Sequence, residues 1–256
     1  MEDPVEEKMP FTAQLEELRT RIIRIMIAAA IGFGVCWYFK EWLFQIITRP
    51  LHRVLPPNSY MIYTSLPEAF FNYMKISFYA SLFLTSPYIL YQLWKFISPG
   101  LYKTEKKYML PFVISSTTLF ICGILFGYYL ALPPAFGFFV EFSSDFLRPM
   151  LSLREYLSFS LKLLLAFGLS FELPVVIFFL AKIGVVNSKM LSRNRRYAIL
   201  IIFIAAAILT PSPDAITQII MAVPLMGLYE IGIIVAKLAE KKRPKEEDLK
   251  DDQKEI

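Results

Sequence analysis

Hydrophobic residues in this chain gather into long runs instead of recurring at amphipathic spacing, and the runs have the length of a bilayer crossing. A membrane helix needs about 20 mostly apolar residues to cover roughly 30 Å of hydrocarbon at 1.5 Å rise per residue. Six runs fit or approach that template: residues 22–39, 73–93, 110–132, 157–181, 197–209 and 215–236. The fifth lies between Arg196 and Pro211-Ser212-Pro213-Asp214 and offers only about 13 apolar residues, some 20 Å of helix. The last two spans therefore read as a short hairpin that thins the bilayer or leans on its neighbours. The predicted fold class is all-α, an integral membrane protein of six transmembrane helices, with residues 1–238 as a single membrane domain.

Composition supports a bilayer as solvent. Of 256 residues, 56% are hydrophobic and 19% charged, whereas a soluble domain carries about 25% charged residues. Basic residues fix the orientation, because short loops rich in Lys and Arg stay on the cytoplasmic side. The segment before the first span, the second and fourth connections and the tail hold 20 of the 27 basic residues. The opposite face keeps Lys40, Arg49, Arg53, Arg148 and Arg154. Both termini are expected in the cytoplasm, and the net charge of +5 is a topology signal and not a nucleic-acid footprint. The tail, residues 239–256, is almost wholly charged and is expected to be disordered.

Between the spans, residues 40–72 read as a long outer loop carrying Pro50, Pro56-Pro57 and Pro67, with Trp37 and Trp42 at interfacial depth. Residues 133–156 form the other outer segment, and "AFGFFVEF" within it reads as a helix continuing the third span. Ser98-Pro99-Gly100 must end the second span, since proline disfavours helical geometry in the residue before it and glycine permits positive φ.

Candidate chemistry is sparse. The single histidine, His52, falls in an outer loop, and Cys36 and Cys122 lie inside spans one and three as small apolar packers. No zincin motif, Ser-His pair, metal cluster or cofactor site is expected, which argues against an enzyme. More informative is the entry helix, "MPFTAQLEELRTRIIRI". Phe11, Leu15, Leu18, Ile22 and Ile25 recur at spacings of 4, 3, 4 and 3, one apolar stripe running into span one. Glu17 and Arg21 stand as an i,i+4 pair on that helix. Glu105 sits among Lys103, Lys106 and Lys107 at the start of span three. Two surface carboxylates near the cytoplasmic interface would suit a cationic peptide, because guanidinium forks pair with carboxylates bidentately. Deep in span four, Glu172 stands in "SFELP", where Pro174 removes a backbone donor and is expected to bend the helix beside the carboxylate.

Four separated motifs, "LEELRTR", "SPGLYKTEKKYMLP", "AFGLSFELPV" and "LTPSPDAITQIIMAVPLMGLYEIGI", together resemble TatC, the multispanning subunit of the twin-arginine protein translocase, over residues 10–238. The resemblance implies a core translocase subunit in a bacterial or archaeal cytoplasmic membrane, with several copies per complex. It would bind the twin-arginine signal peptides of folded cargo and recruit single-span TatA- and TatB-type subunits for transport driven by the proton-motive force. Carried over by motif, Glu17, Leu18 and Arg19 with Phe96, Pro99, Leu101, Tyr102, Lys103 and Glu105 would form the signal-peptide site. Pro50, Glu68, Glu172, Pro174, Asp214 and Gln218 would serve partner docking or structure. Gln14 departs from the family, whose members often carry His there. The alternative from another class is a proton-coupled transporter or channel using Glu172, Lys162 and Glu230 as relay groups; the lack of any internal repeat counts against it.

Overall fold

The computed structural model describes residues 11–54, 61–63, 65–97, 109–141, 151–209 and 215–241. They are almost entirely helical: α1 (Phe11–Tyr38), α2 (Lys40–His52), α3 (Leu66–Ile97), α4 (Met109–Phe126), α5 (Leu132–Glu141), α6 (Leu153–Phe171), α7 (Leu173–Lys182), α8 (Ser188–Arg193), α9 (Arg195–Leu209) and α10 (Ala215–Lys241). A π-helical turn, Gly127–Ala131, joins α4 to α5. Two strands of two residues each, β1 (Met61–Ile62) and β2 (Leu151–Ser152), pair in parallel, with Met61 opposite Leu151.

Among the described residues, four segments are long and apolar enough to cross a membrane: Leu15–Tyr38, Leu110–Phe138, Leu153–Lys182 and Gln218–Glu240. Their outer surfaces are made of large apolar side chains left uncovered, among them Ile22, Met26, Ile31 and Val35 on α1 and Ile231 and Ile234 on α10. So extensive an exposed apolar surface calls for lipid rather than water around it. Several segments of crossing length with such surfaces make this a multi-pass membrane protein.

Sequence expectation and structure part at two places. Residues 40–72, read as a loop, contain helix α2 and the first turns of α3. The final span is also longer than expected. α10 has 27 residues, about 40 Å of helix, so only α9, with 15 residues, is short. Helix α10 extends through Lys237–Lys241 because those residues are not merely solvated: Ala239 is buried against α7, and Glu240 accepts hydrogen bonds from the backbone N–H and the hydroxyl of Ser188.

The chain divides into two compact units, residues 1–44 with 73–117, and residues 45–72 with 118–256. In the first, α1 packs closely on α3 at Gly32, where an added Cβ would stand 2.9 Å from the Thr85 methyl. The indole N–H of Trp94 on α3 donates to the Ser116 hydroxyl on α4 at 2.8 Å, and Trp94 stacks on Phe112. In the second unit the backbones of α4 and α6 approach so closely at Gly123 that an added Cβ would lie 2.5 Å from the Phe167 carbonyl oxygen. Small residues at membrane helix interfaces allow this approach. Helices α7 and α10 share a core of Ile177, Ala181, Ala236 and Ala239. Gly184, at φ 82°, ends α7 in the left-handed conformation that glycine adopts without penalty.

Prolines inside helices explain the remaining local geometry, since each frees the carbonyl four residues earlier. Pro87 in α3 frees the Phe83 carbonyl, and the Ser86 hydroxyl donates to it at 2.8 Å. Pro50 in α2 frees the Ile46 carbonyl, and Tyr128, in the π turn, donates to it at 2.7 Å. One residue on, the buried Tyr156 of α6 donates to the Ile47 carbonyl at 2.6 Å. These two phenols let a proline-containing segment remain helical.

Candidate functional site

Helix α1 presents its charged residues on the first turns of its membrane segment, Leu15–Tyr38. Glu17 is half-buried there, with 32% of its side chain exposed, and Arg21 one turn later is only 9% exposed. The Arg21 Nε donates to Glu17 Oε1 at 3.1 Å, and a second guanidinium nitrogen donates to the same oxygen. The third nitrogen reaches α3, where it donates to Gln92 Oε1 at 3.3 Å. Gln92 is itself buried, and its amide N–H donates to the Tyr88 hydroxyl at 2.7 Å. The expected i,i+4 pair is therefore present, but it is more than a solvated surface pair: the arginine is buried and bridges two helices.

Beside this chain of bonds lies an open cleft of about 500 Å³ lined by Glu16, Glu17, Thr20, Arg21, Arg24 and Lys95. It offers carboxylate oxygens to a cationic group and is rimmed by cations of its own. Of the other expected ligand-binding residues, Leu18 is half-buried and Arg19 exposed on α1, and Phe96 is half-buried one residue from the end of α3. Pro99, Leu101, Tyr102, Lys103 and Glu105 lie outside the described residues, as does Asp214. Sequence reasoning passed over Gln92 and Tyr88. The available signal was an amide inside an apolar run, a placement that demands a hydrogen-bonding partner.

The second group of expected residues is scattered over the other compact unit. Pro50 is buried in α2. Glu68 is buried in the first turn of α3, where the helix dipole favours a carboxylate. Glu172, 9% exposed, occupies the break between α6 and α7, and Pro174 follows it in the first turn of α7. The expected bend beside the carboxylate is thus a real interruption of the helix. Gln218 on α10 donates from Nε2 to the Phe203 carbonyl of α9 at 2.9 Å, which ties the short helix to the long one. Glu230 is exposed and paired with Arg195 at 2.8 Å, an arrangement that suits a surface tether between α9 and α10 better than a proton relay. Lys162 is exposed on α6. Among the described residues no group of three His, Cys, Asp or Glu side chains could hold a metal ion.

Fold and site together define a multi-pass helical membrane protein with a charged cleft at the mouth of its first membrane helix. Residues 13–224 match the family described as Sec-independent protein translocase protein, TatC. The chain is 50% identical over 243 residues to the Sec-independent protein translocase protein TatC of Desulforapulum autotrophicum, covering 95% of this chain and 90% of the relative. It is 42% identical to the TatC of Aquifex aeolicus, covering 92% and 98%. A solved structure described as the twin arginine translocase receptor TatC superimposes with a TM-score of 0.81 at 42% identity, covering 88% of this chain and 99% of that one. The chain belongs to the TatC family, and its work is protein translocation rather than enzymatic catalysis.

Proposed function

We propose that this protein is the signal-peptide receptor of a twin-arginine translocase, taking the paired arginines of a cargo signal peptide on Glu17 and Glu105. The observation that carries this reading is the half-exposed Glu17 carboxylate, oriented by Arg21 at the rim of an open cleft. A guanidinium brought to such a carboxylate at a partly desolvated interface gains about 1.5 to 3 kcal/mol per charge-assisted hydrogen bond. A lysine ammonium lacks the planar fork and gains less. The solved relative's description as a twin arginine translocase receptor supports the same reading.

In this account six spans cross a bacterial or archaeal cytoplasmic membrane, α3 and α9 adding to the four long apolar segments, with both termini in the cytoplasm as the basic residues suggest. Helix α3, at 32 residues, has about 48 Å of length for the purpose; the shorter α9 requires local thinning or support from α10. Residues 1–238 act as one membrane domain, which the packing of Ala239 and Glu240 extends to Lys241, and the charged tail after it remains outside. Single-span TatA- and TatB-type subunits would dock at the interrupted helix around Glu172 and Pro174, with Pro50, Glu68, Asp214 and Gln218 maintaining the surrounding structure, and the proton-motive force would drive transport through the multi-copy assembly.

Crosslinking in membranes tests the receptor site. A photo-reactive signal peptide bearing Arg-Arg is expected to label the wild-type chain strongly and the Glu17→Ala and Glu105→Ala variants weakly. Normal labelling of both variants would refute the site. For the docking surface, Glu172→Ala should weaken disulfide crosslinks to a single-span subunit; unaltered crosslinks would refute that role.

A further inference from the structure

The Glu17 carboxylate is oriented by a relay whose distal members lie outside the expected ligand-binding set. Arg21 directs two nitrogens at a single oxygen, Oε1, and among the described residues Oε2 accepts no hydrogen bond. The carboxylate is thus held at one of its oxygens, and Glu17 lines the cleft. Arg21 cannot swing away freely, because it is buried and its third nitrogen is held by Gln92. Gln92 in turn has no freedom to flip. Its oxygen serves Arg21 and its nitrogen serves Tyr88, so both ends of the buried amide are committed.

From this geometry we infer that Arg21 and Gln92 are positioning residues for signal-peptide recognition: they fix the Glu17 carboxylate so that Oε2 faces an incoming guanidinium, and thereby set the preference for arginine over lysine. The inference rests on the receptor reading above. Its physical basis is that a planar fork gains from a pre-oriented carboxylate, whereas a compact ammonium with rotatable donors accepts a carboxylate in many orientations. Loosening the relay should therefore harm the arginine peptide more than the lysine peptide. A purely structural role would lower stability and affect both peptides alike.

The test uses the full chain in detergent or nanodiscs, with synthetic signal peptides carrying Arg-Arg or Lys-Lys and with thermal unfolding measured in parallel. Gln92→Leu removes the acceptor for Arg21, and Gln92→Glu retains one. Gln92→Leu is expected to weaken Arg-Arg binding by about tenfold, the size of one lost charge-assisted hydrogen bond, and to shrink the Arg-Arg over Lys-Lys ratio. Gln92→Glu should restore most of both. An unchanged ratio in Gln92→Leu overturns the inference. So does tighter binding, which would mark Arg21 as an internal competitor that the ligand displaces. Glu17→Ala separates the two levels: if it binds both peptides normally, the receptor site itself fails, whereas a binding loss there with Gln92→Leu unaffected removes only the positioning role.

Discussion

At the scale of single residues, the recurring problem in this chain is a carbonyl released by proline inside a helix, and the recurring solution is a hydroxyl. Ser86 answers Pro87 from within the same turn, whereas Tyr128 reaches the Ile46 carbonyl that Pro50 frees from 82 residues away in sequence. The Tyr128 bond can be isolated by a double-mutant cycle. Tyr128→Phe should destabilise the protein by roughly 0.6 to 1.7 kcal/mol, from the average to the largest value found for hydrogen bonds between membrane helices. In a Pro50→Ala background the backbone N–H returns to the Ile46 carbonyl, and the same substitution should cost clearly less. Equal costs in both backgrounds, followed by denaturation in mixed micelles, would show that Tyr128 does not serve the carbonyl that Pro50 frees. The same reasoning explains why α2 was hidden in the sequence. A proline and an amphipathic stretch of modest apolar content look like loop when read alone, and the phenols that rescue the helix lie in α6 and in the π turn, beyond the reach of any local pattern.

At the scale of elements, helix existence was legible wherever a long apolar run left one physical solution, and the ends were legible where punctuation was strong. The fourth apolar run breaks at Glu172, beside Pro174, whereas the expected stop of α3 at Ser98-Pro99-Gly100 lies outside the described residues. The C-terminal extension of α10 was not legible, because its anchor is the contact of Glu240 with Ser188, again a tertiary bond. Packing between elements depends on small residues that composition does not single out. Gly123→Ala would push a methyl into the Phe167 backbone, and overpacking of this kind costs about 1 to 3 kcal/mol. Gly34 and Gly227 meet nothing within 4 Å, so alanine at either should be neutral or stabilising by up to about 1 kcal/mol through helix propensity. Melting temperatures of the three variants check this contrast; a Gly123→Ala protein as stable as the other two would contradict the close α4–α6 approach.

At the scale of the whole molecule, the exposed apolar surface and the asymmetric basic residues place the chain in a membrane, and the polar cleft at the start of α1 gives it a feature that lipid does not need. Half of the candidate site was readable in advance. Glu17 and Arg21 announce themselves by helical spacing, and the motifs around them carry the family resemblance. The other half was not, because Gln92 acts on Arg21 across 71 residues and an isolated amide in an apolar run says only that some partner exists. What the structure adds is a hold on that carboxylate: Arg21 engages one of its oxygens, and by the inference above the other is presented to the ligand. On the proposed function, this carboxylate recognises paired arginines. The most direct measurement is equilibrium binding of Arg-Arg and Lys-Lys signal peptides to the wild-type chain and to Glu17→Ala in nanodiscs. Tighter binding of the Arg-Arg peptide to wild type and loss of that preference in Glu17→Ala are expected; equal affinity of wild type for both peptides, or an undiminished preference in the variant, would contradict recognition by this carboxylate.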